Sequence, residues 1–322
     1  MRIFVAGATG FIGTHLVTHL AETKHELVCF ARNTSDLSTL KKLGVTIAIG
    51  DITDKESLKR GMVGCDWVAN LANLFLFWVP DEQIYTDVNV EGTRNIMEAA
   101  IETGISKVVH VSTGTVWGNA EWPITEDTPV GKQRASKYAQ TKYKGDLIAW
   151  RFYEEQGLPL VMVYPSAVLG ADDPKAAGRY VKNFAKRRMP AQILTNVKFP
   201  FVYVGDVCEA VLQALEKEGN IGEKYIVSGD NLTFGEFNHL ICDVAGVPLP
   251  PLSLPDAVTV LNSRLLTGLS NLIKKPPLLD LSVDQVALMK QGFILDGSKA
   301  ERELGFRYTP IRQAVEEAIA SF

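Results

Sequence analysis

Short apolar runs alternate with helical patterns through the first 165 residues. Each run is rich in Val, Ile and aromatic side chains, and the six runs read RIFVAG, ELVCFA, VTIAIG, WVANLA, KVVHVS and LVMVYP. Between them lie helical patterns, at 11–22, 34–43, 82–104 and 133–157. Strands that alternate with helices in this way form a parallel sheet that is covered by helices on both faces. The pattern therefore predicts an α/β protein.

The alternation breaks down after about residue 170. Two further strand candidates, FVYV and EKYIVS, are mixed with helical patterns near 206–217, 233–246 and 311–321, and prolines cluster in VPLPPLSLP and KKPPLL. We therefore predict a first domain over residues 1–165 and a smaller C-terminal α/β lobe over 166–322. Some segments within 166–322 can still belong to the sheet of the first domain.

One C-terminal stretch, DAVTVLNSRLLTGLSNLI at 256–273, has the apolar stripe of an amphipathic helix. It could pack on the small lobe, lie on a membrane surface or act as a lid. Because Arg264 is its only cationic residue, packing on the small lobe is the favoured interpretation.

Composition narrows the function classes. The chain has 322 residues, 46% hydrophobic and 22% charged, as in ordinary globular proteins. Its net charge of −4 argues against a nucleic-acid partner. No run reaches the roughly 18 apolar residues of a membrane span. The N-terminus leads directly into a strand, so we expect no cleavable signal and a cytoplasmic location. The widely spaced Cys29, Cys65, Cys208 and Cys242 are expected to be reduced core or near-core residues.

A glycine turn follows the first predicted strand. In GATGFIG, Gly7 permits a tight turn, Gly10 lets a pyrophosphate approach the backbone, and Gly13 lets the helix pack close to the strand. The N-terminus of the helix then presents free amides and a positive dipole end to the phosphates. This context predicts a dinucleotide site in a Rossmann-type, doubly wound parallel sheet.

The end of the second strand bears on the choice of dinucleotide. NAD-binding sheets usually carry an acidic residue there, whereas CFARN offers Ala31 and Arg32. An arginine suits a 2′-phosphate, so NADP is preferred and NAD remains open. Asp51, after the third strand, could accept a hydrogen bond from adenine or could cap a helix.

The segment YAQTK places Tyr138 and Lys142 four residues apart on a predicted helix, where they share one face. A cation beside a phenol lowers the pKa of the phenol, as a general acid/base requires. The same spacing also occurs by chance on solvated helices, so the surrounding motifs decide its meaning.

Three motifs in order, GATGFIG, VSTGTVWG and YAQTK, resemble those of the extended short-chain dehydrogenase/reductases, also called the NAD-dependent epimerase/dehydratase family. NVEGTRNIMEAA, FVYVGDVCEAV and FILDGSKAERELGF extend the resemblance over nearly the whole chain. They are most similar to the dihydroflavonol-4-reductase-like and hopanoid-associated epimerase-like branch. The resemblance implies an NAD(P)-dependent oxidoreductase.

The resemblance also implies roles for individual residues. Tyr138 would be the acid/base, Lys142 would hold the nicotinamide ribose, and Thr113 would bind the substrate oxygen. Pro165 and the SAVLG segment after it would line the nicotinamide pocket. The residues predicted to bind the cofactor are Gly7, Thr9, Gly10, Phe11, Ile12, Gly13, Arg32, Asp51, Ile52, Leu71, Ala72, Asn73, Asn89, Tyr138, Lys142, Pro165, Ala167 and Val168.

Two departures from the family's sugar-handling pattern narrow the substrate. Gly114 and Thr115 stand where dehydratases carry Asp-Glu, and Phe199 and Pro200 stand where nucleotide-sugar epimerases carry a diphosphate-binding arginine. The segment NLFLFWVPDEQIY instead offers apolar side chains that suit an apolar or aromatic ligand, unless it packs on the core or on a dimer face. The predicted substrate residues are Leu74, Phe75, Trp78, Thr113 and Thr115.

The sequence therefore predicts hydride transfer between a nicotinamide and a carbonyl or secondary alcohol of an apolar small molecule. The alternatives are a sugar epimerase with a tightly bound NAD and a non-catalytic cofactor-sensing protein. A homodimer could form through the helices at 82–104 and 133–157. His15 and His19 are interpreted as a surface pair, so no metal site is predicted. His110 is expected to be a core residue with satisfied hydrogen bonds.

Overall fold

The computed structural model describes residues 1–322, and a seven-stranded parallel sheet forms its centre. The strands follow the order β3-β2-β1-β4-β5-β6-β10, which confirms the Rossmann-type prediction. The strands are β1 (Arg2–Ala6), β2 (Glu26–Ala31), β3 (Thr46–Ile49), β4 (Trp67–Asn70), β5 (Lys107–Val111), β6 (Leu160–Pro165), β7 (Ala167–Leu169), β8 (Gln192–Ile193), β9 (Lys198–Tyr203), β10 (Lys224–Val227), β11 (Asn231–Thr233) and β12 (Ser253–Leu254).

The central strands are buried on both faces, which is why their sequences are continuous apolar runs. Every residue of β5 and β6 is buried. β1 pairs with β2 on one side and with β4 on the other. The strand order reverses between β1 and β4, and in open α/β sheets ligands bind in the crevice at the carboxyl end of such a switch point.

Helices cover both faces of the sheet and build most of the second lobe. They are α1 (Phe11–Ala21), α2 (Ser38–Leu43), α3 (Lys55–Met62), α4 (Gln83–Thr86), α5 (Gly92–Glu102), α6 (Lys137–Gln156), α7 (Ala176–Ala185), α8 (Val204–Glu216), α9 (Phe234–Ala245), α10 (Asp256–Ile273), α11 (Val283–Gln291), α12 (Ser298–Leu304) and α13 (Ile311–Ala320). A π-helical segment, Asp87–Glu91, joins α4 to α5, and short 3₁₀ segments cover Gly114–Trp117 and Leu278–Asp280.

The helices predicted from the sequence are present with small changes at their ends. α6 begins at Lys137 rather than at 133, because the Ser136 side chain caps it by accepting from the Ala139 amide. The pattern at 34–43 is helical only over α2. α3, α7, α11 and α12 were not predicted individually.

The second lobe contains a three-stranded sheet, β11-β9-β7, and the β12-β8 pair. The predicted strand EKYIVS is β10, which pairs with β6 at the edge of the main sheet and so lies outside that lobe. This is one of the returning segments that the sequence allowed. The boundary between residues 165 and 166 stays a prediction.

α10 forms over the predicted range, but the face that it buries differs from the expectation. Its buried residues are Thr259, Ser263 and Ser270, while its leucines are largely solvent-exposed. The helix therefore packs on the lobe through small polar side chains and not through its apolar stripe. A helix that is both long and apolar enough to cross a membrane does not occur in the structure.

Several predictions about single side chains can be compared with the structure. All four cysteines are free thiols in buried positions, as expected. His15 Nε2 contacts the Ala171 carbonyl at 3.0 Å, and His19 Nε2 lies 2.9 Å from Glu209 Oε2, so the two histidines have separate partners. His110 is fully buried as predicted, but its Nε2 has no hydrogen-bond partner.

Candidate active site

A cavity of about 610 Å³ lies at the carboxyl edge of the main sheet, between the sheet and the second lobe. The turn after β1, the loop after β4 and the start of α6 all contribute to its wall. The predicted residues that line it are Gly7, Thr9, Gly10, Phe11, Ile12, Gly13, Arg32, Asp51, Ile52, Leu71, Ala72, Asn73, Leu74, Phe75, Thr113, Thr115, Tyr138, Pro165, Ala167 and Val168. Asn89, Lys142 and Trp78 do not line it.

The glycine turn has the geometry of a dinucleotide cradle. Gly7 has φ +83°, and a Cβ there would lie 2.8 Å from the Ala72 amide nitrogen. A Cβ on Gly13 would lie 2.0 Å from the Gly7 carbonyl oxygen, so only glycine lets α1 approach β1 this closely. The amides of Phe11 and Ile12, with that of Gly13, precede the first backbone bond of the helix and have no acceptor within the chain. These residues fit the pyrophosphate of a dinucleotide.

Side chains that follow β2 and β3 also line the cavity. Arg32 is exposed and lines the wall with Ser35. The Asp51 carboxylate accepts from the Thr53 amide at 2.9 Å and from the Thr53 hydroxyl at 2.8 Å. The cap of α3 is Asp54, so the capping interpretation of Asp51 is wrong. An adenine contact by Asp51 stays a prediction.

Tyr138 and Thr113 both line the cavity, and the Thr113 hydroxyl is near enough to the Tyr138 phenol to act on its pKa. Tyr138 is in the first turn of α6 and only 5% exposed, and its ring packs edge-on against Phe75 and Phe77, with centroids 5.0 and 6.0 Å away. Thr113 Oγ1 accepts from the Thr115 amide at 3.3 Å, which fixes its position. A phenol and a hydroxyl therefore face the same apolar space, where both can reach one oxygen of a ligand.

Lys142 lies behind Tyr138 and is 1% exposed. Its Nζ donates to the Val111 carbonyl at 3.1 Å, and burial lowers its pKa below 10.5. The expectation that Lys142 lowers the pKa of Tyr138 is not met: burial raises the pKa of Tyr138 above 10, and only the Thr113 hydroxyl acts in the opposite direction. The cost of desolvating a phenolate among aromatic rings outweighs the stabilisation that the Thr113 hydroxyl provides. Tyr138 is therefore a neutral phenol at neutral pH, which is the form that can donate a proton.

A buried polar network continues from Lys142 into the protein. Asp146, one turn further along α6 and 3% exposed, accepts from the Ser112 hydroxyl at 2.8 Å. Its Oδ1 faces His110 Nε2 at 3.7 Å, and His110 Nδ1 lies 2.7 Å from Asn70 Nδ2. Burial raises the pKa of Asp146 to about 7 and, with the Lys142 charge, keeps the pKa of His110 well below 6.5. Of this network, the sequence predicted only that His110 would lie in the core.

Asn89 braces the cavity wall instead of lining it. It lies in the π-helical segment, where its Oδ1 accepts from the Leu74 amide at 2.7 Å and its Nδ2 donates to Thr141 Oγ1 at 3.1 Å. It thus ties the loop after β4 to α6, next to Lys142. The predicted bracing role fits this position, and direct contact with a cofactor stays a prediction.

The loop after β4 closes one side of the cavity with Leu74, Phe75 and Phe77. Trp78 points elsewhere, since its Nε1 donates to Asn271 Oδ1 on α10 at 2.8 Å. The loop therefore lines the cavity with one set of side chains and is hydrogen-bonded to α10 through Trp78.

The second lobe supplies an aromatic wall that the sequence analysis largely missed. The sequence singles out only Phe199, as a replacement for an arginine, and no motif marks the other members. The alternation of phenylalanines in FPF and their spacing in FGEF indicate packing in a core, and they do not indicate a ligand site. The aromatic residues that this lobe contributes are Tyr180, Phe199, Phe201, Phe234, Phe237 and Phe293.

Charge is sparse in the cavity. Its charged lining residues are Arg32, Asp51, Asp173 and Lys175. The Asp173 carboxylate already accepts hydrogen bonds from the amides of Lys175 and Gly178, at 2.8 and 2.7 Å. The space beside Tyr138 is therefore an apolar pocket with few polar groups, as binding sites for apolar ligands require.

The chain is similar to known proteins, and two of the matches cover all of it. Residues 3–228 match the NAD dependent epimerase/dehydratase family. The sterol demethylase protein B of Methylococcus capsulatus is 32% identical over 100% of this chain and 98% of its own. A putative dihydroflavonol 4-reductase of Synechocystis is 29% identical over 99% and 94%. The crystal structure of gox2253 superposes with a TM-score of 0.86 at 33% identity, covering 100% of this chain and 97% of that one.

Proposed function

The chain belongs to the NAD-dependent epimerase/dehydratase family, and from that premise we propose that it is an NADP-preferring oxidoreductase for an apolar small molecule. It would interconvert a carbonyl and a secondary alcohol. The observation that carries this proposal is the aromatic cavity wall beside Tyr138 and Thr113, in which Phe199 stands where a diphosphate would need a cation. The relatives named for a sterol and for a dihydroflavonol support a substrate of this class.

The residues around the cavity have separate roles in the proposed reaction. The nicotinamide, when bound, supplies or accepts the hydride. Tyr138, held neutral by burial, gives its proton to the substrate oxygen as the carbonyl is reduced. The Thr113 hydroxyl donates to the same oxygen and orients it, because its own oxygen accepts from the Thr115 amide. Lys142 is buried and has two ammonium hydrogens beyond the one on Val111, and one of these would donate to a ribose hydroxyl of the bound dinucleotide.

A turnover panel tests the proposed function directly. Purified protein with NADPH is expected to reduce apolar cyclic or aryl ketones, and to leave UDP-glucose and UDP-galactose unchanged. NADPH absorbance and product analysis give the measurement. Conversion of a nucleotide sugar without added cofactor, by protein that retains NAD through purification, would instead identify an epimerase. Dinucleotide binding without turnover of any carbonyl would identify a cofactor-sensing protein.

Arg32 provides the test of cofactor preference. In Arg32→Gln, the ratio of kcat/KM with NADPH to that with NADH is expected to fall by about 10- to 100-fold, because a charged hydrogen bond to the 2′-phosphate contributes roughly 1.5–3 kcal/mol. The matched control is Arg307→Gln, an exposed arginine outside the cavity lining, which should leave the ratio unchanged. An unchanged ratio in Arg32→Gln would remove Arg32 as the determinant of NADP preference.

The remaining proposals concern assembly and location. A homodimer through α5 and α6 is consistent with the exposure of Leu147 on α6, which is 48% accessible. A cytoplasmic location accords with a dinucleotide-dependent reaction and four free thiols.

A further inference from the structure

α10 carries its apolar residues on the outside. Thr259, Ser263 and Ser270 face the protein. At 100° per residue the row of exposed apolar side chains occupies about 80° of the opposite side of the helix. The row consists of Val258 (39% exposed), Leu261 (56%), Leu265 (65%), Leu269 (53%) and Leu272 (80%). A contiguous exposed apolar row of this kind marks an interaction surface.

Positive charge accompanies this row. From residue 257 to residue 279 the chain contains Arg264, Lys274 and Lys275 and no Asp or Glu, although the protein as a whole has a net charge of −4. Cations beside an apolar helical stripe favour anionic lipid headgroups, since their long stems let the charge reach the headgroups while the apolar side chains enter the acyl region.

α10 is also joined to the cavity wall by hydrogen bonds. Trp78 Nε1 donates to Asn271 Oδ1 at 2.8 Å, and the Val283 amide donates to Thr267 Oγ1 at 2.9 Å. Ser282 Oγ donates to the carbonyl of Phe77 at 2.8 Å, and Phe77 lines the cavity. The helix and the loop that overhangs the ligand space are thus one connected unit.

We propose that α10 lies flat on a bilayer that contains anionic phospholipid, with the Val258–Leu272 row in the interface. The docking itself is independent of the proposed reaction. A further consequence, that docking lets an apolar substrate pass from the bilayer into the cavity, rests on the proposed function. A second copy of the chain fits the same face poorly, because two-fold pairing at α10 would bring Arg264 of each copy close to its counterpart.

Vesicle co-sedimentation of the full chain tests the docking. Wild-type protein is expected to bind vesicles of equal parts POPC and POPG, to bind pure POPC vesicles weakly, and to be released by high salt. Leu265→Gln/Leu272→Gln should lower the partition coefficient at least tenfold, and Lys274→Glu/Lys275→Glu should abolish the preference for POPG. Val63→Gln, at an exposed valine that follows α3 and lies outside α10 and the cavity lining, is the matched control and should bind like the wild type.

Three outcomes overturn the docking proposal. The first is a wild-type chain that binds neither kind of vesicle, and the second is a Leu265→Gln/Leu272→Gln variant that binds as well as the wild type. The third is a concentration-dependent dimer, seen by light scattering without vesicle binding, that the same variant dissociates. That result would assign the face to a second copy.

Turnover of a water-soluble carbonyl in vesicle-free buffer separates this proposal from the proposed function. Because Leu265 and Leu272 do not line the cavity, the double variant should match the wild type there and lose only the faster turnover of a vesicle-embedded substrate. Vesicle binding without turnover in either protein would overturn the reaction and leave the docking intact. Normal turnover without vesicle binding would overturn the docking alone.

Discussion

Tyr138→Phe is expected to lower kcat/KM for a carbonyl substrate by roughly 10²- to 10⁴-fold, the range of a lost general acid. The phenol is buried at the cavity wall and lies beside Thr113, so the change removes the proton donor to the substrate oxygen. The ring contacts with Phe75 and Phe77 are retained by phenylalanine. The measurements are steady-state NADPH oxidation, dinucleotide binding and thermal unfolding of both proteins, and only the first should change strongly.

Tyr153→Phe is the matched control, since Tyr153 is on the same helix and does not line the cavity. It should keep wild-type turnover. Undiminished turnover in Tyr138→Phe would show that another group protonates the substrate. A parallel loss of dinucleotide binding would show that the substitution disturbs the cofactor site rather than the proton transfer.

Much of the fold followed from local sequence signals. Six apolar runs alternating with helical patterns specify a parallel sheet, because strands that are buried on both faces cannot carry alternating polar residues. The glycine turn could also be predicted. At Gly7 and Gly13 neighbouring backbone comes too close for a side chain, and the motif itself implies this close approach. The i, i+4 spacing of Tyr138 and Lys142 then placed both on the inner side of α6.

Properties that depend on tertiary environment could not be predicted in the same way. The pKa of Tyr138 follows from how completely the loop after β4 buries it, and the motif contains no information on that burial. The apolar stripe of α10 predicted a packed helix, but burial of Thr259 and Ser263 reversed its orientation. The aromatic wall of the second lobe forms only when residues that are distant in sequence, such as Tyr180 and Phe293, come together around the cavity.

The network behind Lys142 is a further consequence of tertiary burial, and it links the site to stability. Asp146 is enclosed by Lys142, Ser112, His110 and Arg134, and burial raises its pKa despite the attraction of Lys142. His110 is kept neutral by burial, so it offers Asp146 no compensating charge. Because Asn70 donates from its amide to His110 Nδ1, the imidazole proton is on Nε2 and faces Asp146 Oδ1. Below about pH 7 the folded protein therefore favours the neutral carboxylic acid form of Asp146.

Asp146→Asn is expected to change the pH dependence of the free energy of unfolding. The pKa of Asp146 is about 7 in the folded protein and about 3.9 in an unfolded chain. Between these values the unfolded chain has released a proton that the folded chain still holds. The wild type therefore loses about 1.4 kcal/mol of stability per pH unit as pH rises, roughly 4 kcal/mol in all, and the loss ends above pH 7. Asparagine cannot ionise and still accepts a hydrogen bond from Ser112. The free energy of unfolding of the variant should therefore rise relative to that of the wild type as pH increases across this window.

Urea unfolding of both proteins at intervals from pH 5 to pH 8 measures the difference in unfolding free energy, and other buried carboxyl groups cancel in that difference. Asp127→Asn, at an exposed position, is the control and should run parallel to the wild type at every pH. A constant difference between Asp146→Asn and the wild type over this range would mean that Asp146 is already ionised in the folded protein, as a partner of the Lys142 ammonium. In that case the single charge of Lys142 would be neutralised by Asp146 instead of being directed at a bound ribose, and the role proposed for Lys142 would have to be revised.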